Sequence, residues 1–167
     1  LFSAVRSPLV ATTGRHAVPE TILQPEFVFE VDAAVDPPIE LGVLPGGSMR
    51  RIIPVGAGTV RGPEINGRVL PGGADWQLIR PDGVADIEAR YTIESDQGEL
   101  VYVSNPGYRH APPDIMAKLI AGEPVPPDSY YFRTAPRFET AAPRLAWLMR
   151  TILVCVGIRE PGRVRIR

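Results

Sequence analysis

The sequence predicts an all-β fold: a closed or nearly closed antiparallel up-and-down β-barrel of about 8–10 strands with one short helix. Three observations predict it. Apolar side chains recur at alternate positions through much of the chain, as in half-buried strands. Pro (19) and Gly (16) are 35 of the 167 residues and run from Pro8 to Gly162, leaving little room for long helices. The strand-like runs are joined mostly by tight turn signals. Consecutive antiparallel strands must then close on themselves or stack, because open edges invite aggregation. A sandwich is the alternative architecture. A barrel of this size can hold one small ligand inside.

Residues 1–25 carry Pro8, Gly14, Pro19 and Pro25 with little periodicity and read as an irregular N-terminal arm; 26–167 read as a single barrel domain. From Glu26, Phe27, Phe29 and Val31 alternate with Val28, Glu30 and Asp32 until Asp36-Pro37-Pro38. Met49 to Val55 is a second run, and Thr59 to Arg61 continues it past Gly56-Ala57-Gly58 as a bulged strand would. Ile65 to Leu70 follows, with Pro71-Gly72-Gly73 read as a turn before a strand from Trp76 to Arg80. Pro81-Asp82-Gly83 is the clearest turn signal. Beyond it, Ile87, Ala89, Tyr91 and Ile93 share one face of a strand over 84–94. Asp96-Gln97-Gly98 makes a hairpin to Glu99–Ser104, which Asn105-Pro106-Gly107 is expected to end. Residues 105–129 read as an irregular insert holding one helix, Asp114 to Ala121, between Pro112-Pro113 and Gly122; its stripe of Ile115, Leu119 and Ile120 suggests a plug. In a strand from Tyr130 to Thr140, Phe132, Thr134 and Phe138 share one face, and Tyr131, Arg133 and Arg137 the other. One turn around Trp147, an apolar strand over 151–158 and a last strand from Arg163 complete the chain.

Composition excludes several classes. Lys plus Arg is 18 and Asp plus Glu 19, a net charge of -1, whereas general nucleic-acid binders carry a basic surplus. No apolar run reaches the ~18–20 residues of a membrane helix. The single cysteine, Cys155, excludes an internal disulfide framework and a four-thiolate zinc site. His16 and His110 lack metal-ligand spacing, and there is no phosphate loop, nucleophile elbow or H-E-x-x-H. No cofactor, metal, nucleic acid or membrane is therefore expected. A cytoplasmic location follows, although a cleaved leader would be invisible in a chain that starts at Leu1. Of the 18 basic residues only Lys118 is lysine. Arginine suits buried ion pairs and carboxylate or phosphate recognition, but a GC-rich genome yields the same bias.

The stretch Ile53-Pro54-Val55-Gly56-Ala57-Gly58-Thr59-Val60-Arg61-Gly62-Pro63, then Gly67 to Gln77 (GRVLPGGADWQ), resembles one known family. Asp82-Gly83, Ala89-Arg90-Tyr91, the run Tyr102 to Gly107, Tyr131-Phe132-Arg133-Thr134, Trp147-Leu148 and Gly157 follow in the family's order. The chain is thereby similar, over roughly residues 25–167, to the domain of unknown function 3237 family, also called uncharacterised protein family 0311. The resemblance implies a small all-β, barrel-like domain found in bacteria and fungi, and no particular activity.

Candidate site residues come from the chemistry of their neighbourhoods. Asp75 beside Trp76 places a carboxyl against an aromatic wall, where its pKa can rise and it can move a proton; a turn-capping Asp beside a core Trp has the same pattern. Arg61 and Arg90 suit a ligand carboxylate or phosphate, or pair with Asp75, Glu88 or Glu139. Tyr102, Tyr131 and Arg133 flank the insert, on a face that lines a pocket or meets solvent or a partner subunit. Trp147 would cap one mouth or pack in the core. His110 reads as an exposed loop residue, and Cys155 as a buried, inert thiol. The leading functional reading is a barrel that binds a small anionic or aromatic organic ligand through Arg61, Trp76, Arg90, Tyr131, Arg133 and Trp147. The rival is a cofactor-independent cyclase, isomerase or hydratase acting on a polyketide-like or aromatic metabolite, with Asp75 or Tyr102 moving the proton. The third is an oligomeric structural module, a homodimer or larger, using spare apolar residues of strands 84–94 and 151–158.

Overall fold

The computed structural model describes residues 24–167 and the backbone of residues 3–5. In chain order its strands are β1 (Ser3–Val5), β2 (Pro25–Phe27), β3 (Glu30–Val35), β4 (Ile39–Val43), β5 (Met49–Arg61), β6 (Gly67–Ile79), β7 (Ala85–Ser95) and β8 (Leu100–His110). After helix α1 (Pro113–Ala121) come β9 (Tyr131–Thr134), β10 (Arg137–Glu139), a 3-10 helix over Pro143–Arg150, β11 (Leu153–Glu160) and β12 (Arg163–Ile166). Strands β3, β5, β6, β7, β8, β9, β11 and β12 are hydrogen-bonded in that order, and β12 returns to β3, so eight strands close a ring. An even number lets every neighbour be antiparallel around the whole circuit. The barrel expected from the sequence is therefore the fold. β4 pairs with β5 and β10 with β8 outside the ring. Most of the expected irregular arm, including His16, lies outside the described residues; Ser3–Val5 pairs with β11 and β2.

Two segments read as chain breaks are continuous strand. Pro71-Gly72-Gly73 lies within β6, as a bulge where the register to β7 shifts between Leu70 and Ala74; Gly72 takes φ +109°, and Pro71 faces solvent. Asn105-Pro106-Gly107 lies within β8, at the place where its outer partner changes from β10 to β9. The ladder is interrupted there already, so the missing N–H of Pro106 costs no strand pairing. Conversely, the run from Tyr130 to Thr140 is broken at Ala135-Pro136, yet its two faces are as expected: Phe132, Thr134 and Phe138 buried, Tyr131, Arg133 and Arg137 exposed. The run from Glu26 divides into β2 and β3, and a twist at Val28-Phe29 buries both residues while Phe27 faces out.

The interior differs from end to end. At the end bearing the 96–98 hairpin it is filled by Phe29, Val60, Ile65, Val69, Ile93 and Val101, with Leu145 and Leu148 of the 3-10 helix as a stopper. Phe29 meets Phe138 edge to face at 6.2 Å. Arg144 ties the stopper to Glu99 and reaches the Glu64 carbonyl. The other end carries the Pro81-Asp82-Gly83 turn and α1. The helix starts at Pro113, ends on the left-handed Gly122, and buries Leu119; Ile115 is half-buried and Ile120 points to solvent, so the expected three-residue plug is mainly one leucine. Strand β7 spends its apolar residues inside the barrel, contrary to the expected surplus; on the 151–158 segment Ile152 and Val154 do face out.

Gly157 of β11 lies under the ring of Phe132, and a methyl group there would sit 2.4–2.6 Å from its carbons. Gly157→Ala is expected to lose about 1–3 kcal/mol of stability in urea denaturation, because the buried Phe132 ring has to shift to admit the methyl group. An unchanged midpoint would show that the ring has room to move.

Candidate functional site

Period-two alternation aims Arg51 of β5, Asp75 and Gln77 of β6, Asn105 and Arg109 of β8, and Arg159 of β11 at the barrel axis in the half nearest α1. All of them but Arg51 line a cavity of about 60 Å³, room for a handful of waters or a small organic molecule. Val31, Ile53, Ile87, Tyr91, Phe132 and Ile166 form its apolar walls. A second recess beneath α1, edged by Glu40, Arg51, Met116 and Leu119, shares Arg109 and Arg159 with the cavity and leads to the surface.

Gln77, fully buried, organises the polar groups. Its Oε1 accepts from Arg51 Nε at 2.7 Å and from Arg109 Nη2 at 3.4 Å, and its Nε2 donates to Asp75 Oδ2 at 2.9 Å. Only this amide orientation fits, because guanidinium groups only donate and a carboxylate only accepts. The Glu88 N–H donates to Asp75 Oδ1 at 2.9 Å. Burial raises the Asp75 pKa, and the Glu88 and Gln77 hydrogen bonds and the charges of Arg109 and Arg51 oppose that rise. Arg109 is pushed down to about 10 by burial and by the neighbouring Arg159 and Arg51, and remains a cation at neutral pH. Burial also lowers Arg51 and Arg159.

The cavity therefore holds two guanidinium groups, Arg109 and Arg159, and one carboxylate, with Arg51 and Glu40 in the adjoining recess. None of these arginines makes an ion pair among the described residues. Arg109 is 5% exposed, its Cζ is 5.9 Å from the centre of the Phe132 ring, and its Nε has no hydrogen-bond partner. The Tyr91 hydroxyl and Asn105 Oδ1 are also buried without partners. Burial raises the pKa of the Tyr91 hydroxyl, and pushes the Cys155 thiol beside Thr134 up to about 12, so both are neutral. Among the described residues no three His, Cys, Asp or Glu side chains converge as metal ligands. No helix among them is long and apolar enough to cross a membrane.

Of the residues singled out from the sequence, Asp75 alone faces this cavity. Trp76, Arg90 and Tyr102 lie together on the outer wall, the Arg90 guanidinium 5.8 Å from the centre of the Trp76 ring and paired with Glu88. Tyr102 and Asp75 thus occupy opposite faces of the sheet, and the two expected proton-moving groups do not meet. Tyr131 and Arg133 are outside as well, with Arg133 and a stacked His110 against the Tyr131 ring. His110 is exposed, at the end of β8 rather than in a loop. Arg61 is exposed at the end of β5, and Trp147 packs half-buried at the stoppered end, away from the cavity. Arg51, Gln77, Asn105, Arg109 and Arg159 escaped the sequence reading. The parity of Asp75 would have found Gln77, but Asn105 and Arg109 fell in a stretch read as loop.

The raised pKa of Asp75 has a definite sign. Its neutral form is favoured in the fold, so it contributes stability that is fully present below the unfolded-state pKa and lost as the pH rises through the folded-state value. Relative to Asp75→Asn, the wild type should gain stability as the pH falls from neutrality toward the ordinary carboxylate range, read by urea denaturation across that interval. A constant difference would contradict the assignment.

The family model for "protein of unknown function (DUF3237)" matches residues 23–167. A UPF0311 protein of Rhodopseudomonas palustris (strain TIE-1) is 44% identical over 144 residues, 86% of this chain and 94% of the relative. The crystal structure of a β-barrel-like protein from Acinetobacter baumannii superposes with a TM-score of 0.72 at 36% identity, covering 83% of this chain and 89% of that one. An enzyme from Penicillium herquei shares the fold, with a TM-score of 0.61 at 17% identity over 84% of this chain and 90% of its own. By the extent of the family match and the identity of these relatives, the chain belongs to the DUF3237 family, whose members include proteins named UPF0311.

Proposed function

We propose that the barrel binds one small organic anion with an apolar body, its charged group against Arg109 and Arg159 and its body between the aliphatic walls. The single observation that carries this reading is Arg109: a buried cation with no ion pair and an unsatisfied Nε, in a cavity where guanidinium groups outnumber carboxylates. An unpaired buried charge costs several kcal/mol, and a bound carboxylate or similar anion offsets that cost with charge-assisted hydrogen bonds. The recess under α1 supplies an entrance, and Gln77 holds Arg51 and Arg109 so that their remaining N–H groups stay available. Trp76, Arg90, Tyr102, Tyr131 and Arg133 have no part in this reading, because they lie outside the ring.

Arg109→Met tests it through two opposite effects. Without ligand, the variant is expected to equal or exceed the wild type in stability, by up to about 4 kcal/mol, because the unpaired charge is gone. Affinity for heptanoate, followed by calorimetric titration, should fall about 10–100-fold, the worth of a charged hydrogen bond. Loss of stability with unchanged heptanoate affinity would instead make Arg109 a structural residue.

A second reading, proton transfer without a cofactor, is favoured by one observation: Asp75 faces the same cavity with its pKa raised toward the range useful to a general acid or base. In it Asp75 exchanges a proton with the bound anion while the arginines stabilise negative charge as it develops. Incorporation of solvent deuterium into a bound carboxylate, abolished in Asp75→Asn while binding persists, is the expected result; an equal rate in that variant would remove Asp75 from the chemistry.

A further inference from the structure

The cavity lining carries three buried polar atoms that the anion reading leaves unused: Asn105 Oδ1, the Tyr91 hydroxyl and Thr134 Oγ1, the last beside the Cys155 thiol. Asn105 and Tyr91 both line the cavity, and Asn105 Oδ1 and the Tyr91 hydroxyl are buried with no hydrogen-bond partner among the described residues. They come from paired strands: Tyr91 is in register with Val103, so Asn105 is the next inward residue of β8 toward the mouth. Arg109 is four residues further along the same inward row, a separation of roughly 13 Å along the strand at ~3.3 Å per residue. Ile87, in register with Gly107, lies between these two polar places; Ile53 and Asp75 share the cross-strand row of Asn105, and Phe132 is in register with Arg109. Arg109 thus stands toward one end of this inward row, and Asn105 and Tyr91 lie farther in, near the level of the Asp75 carboxyl.

The chemistry of the far end is specific. Asn105 Oδ1 only accepts, so it asks for a donor; the Tyr91 hydroxyl both donates and accepts. A ligand hydroxyl satisfies the two together, donating to Asn105 and accepting from Tyr91. A second carboxylate would be buried near the level of the Asp75 carboxyl, and a methyl group would leave both atoms unsatisfied, at about 1–3 kcal/mol each. We infer that the ligand is a hydroxylated monoanion, with its charge on Arg109 and Arg159 and a hydroxyl, across an apolar spacer, on Asn105 and Tyr91. This inference rests on the anion reading and names the ligand class for the same site.

Two isosteric acids test it: 6-hydroxyhexanoate and heptanoate differ only by a terminal hydroxyl in place of a methyl. An apolar cavity alone prefers heptanoate. The inference expects 6-hydroxyhexanoate to bind the wild type about tenfold more tightly by calorimetric titration, and expects the difference to collapse in Tyr91→Phe and in Asn105→Leu. If the leucine variant does not fold, the phenylalanine variant, which removes one oxygen atom, carries the test. Heptanoate binding as tightly as 6-hydroxyhexanoate, or a preference that survives Tyr91→Phe, would overturn the inference and leave the pair satisfied by water. The anion reading would stand in that case, provided Arg109→Met still weakens heptanoate. Failure of both acids to bind at millimolar concentration would overturn both.

Discussion

The closure of the eight-strand ring is the constraint on which the rest of the structure depends. Once β12 pairs with β3, each strand has one face committed to a single shared interior, and side-chain direction follows from residue parity alone. A closed ring has no open edge along its circuit, but everything on the inner face must either pack or be compensated. Small residues appear where chains or rings come close: Gly157 lies beneath Phe132, and Gly73 beside the backbone of Tyr91. Bulges at Leu70–Ala74 in β6 and Val55–Gly58 in β5 bend the longest strands so that the circuit can close.

Within that interior the two ends are built differently. The stoppered end is dry and filled, with Leu145 and Leu148 completing a core of β-branched and aromatic side chains. Burial there supplies the stability that the opposite end lacks. Toward α1 the same inward rows present Arg51, Arg109 and Arg159 against the carboxylate of Asp75, with Gln77 accepting from Arg51 and Arg109 and donating to Asp75. Natural interiors seldom keep an unsatisfied guanidinium nitrogen, and the general resolution of such a defect is a group that arrives from outside. The unsatisfied atoms of Tyr91 and Asn105 deeper in the same cavity follow the same logic. Binding and proton transfer are then alternatives for one cavity rather than rival locations.

The outer wall has a separate chemistry. Trp76 with Arg90, and Tyr131 with Arg133 and His110, make cation–π and stacked contacts on the surface, where each contributes on the order of 1 kcal/mol or less. These are the residue types that draw attention in a sequence, because aromatic and arginine side chains mark binding sites elsewhere. Here they line shallow recesses on the outer face of the sheet. Their inward neighbours, Asp75, Gln77 and Phe132, reach the cavity because they lie one position away.

The sequence by itself determined the class of fold, most strand positions, the helix, and the faces of the 131–138 segment, since all of these follow from local periodicity and from turn residues such as Pro81-Asp82-Gly83. It also carried the family resemblance through motifs in order. It singled out Asp75 as a carboxyl whose pKa can rise, but against the Trp76 ring, which faces outward; burial inside the barrel raises it instead. It did not tell inside from outside around the ring: either face of a strand can be the core face until closure fixes which one is enclosed, and a one-residue change of parity exchanges Trp76 for Gln77. It read Asn105 to Gly107 as a break because Pro and Gly usually end strands, whereas the change of partner from β10 to β9 makes room for Pro106. Only the tertiary structure therefore joined Arg51, Gln77, Arg109 and Arg159 to Asp75. These residues are spread over more than a hundred positions of chain and are brought together by ring closure rather than by spacing in the sequence.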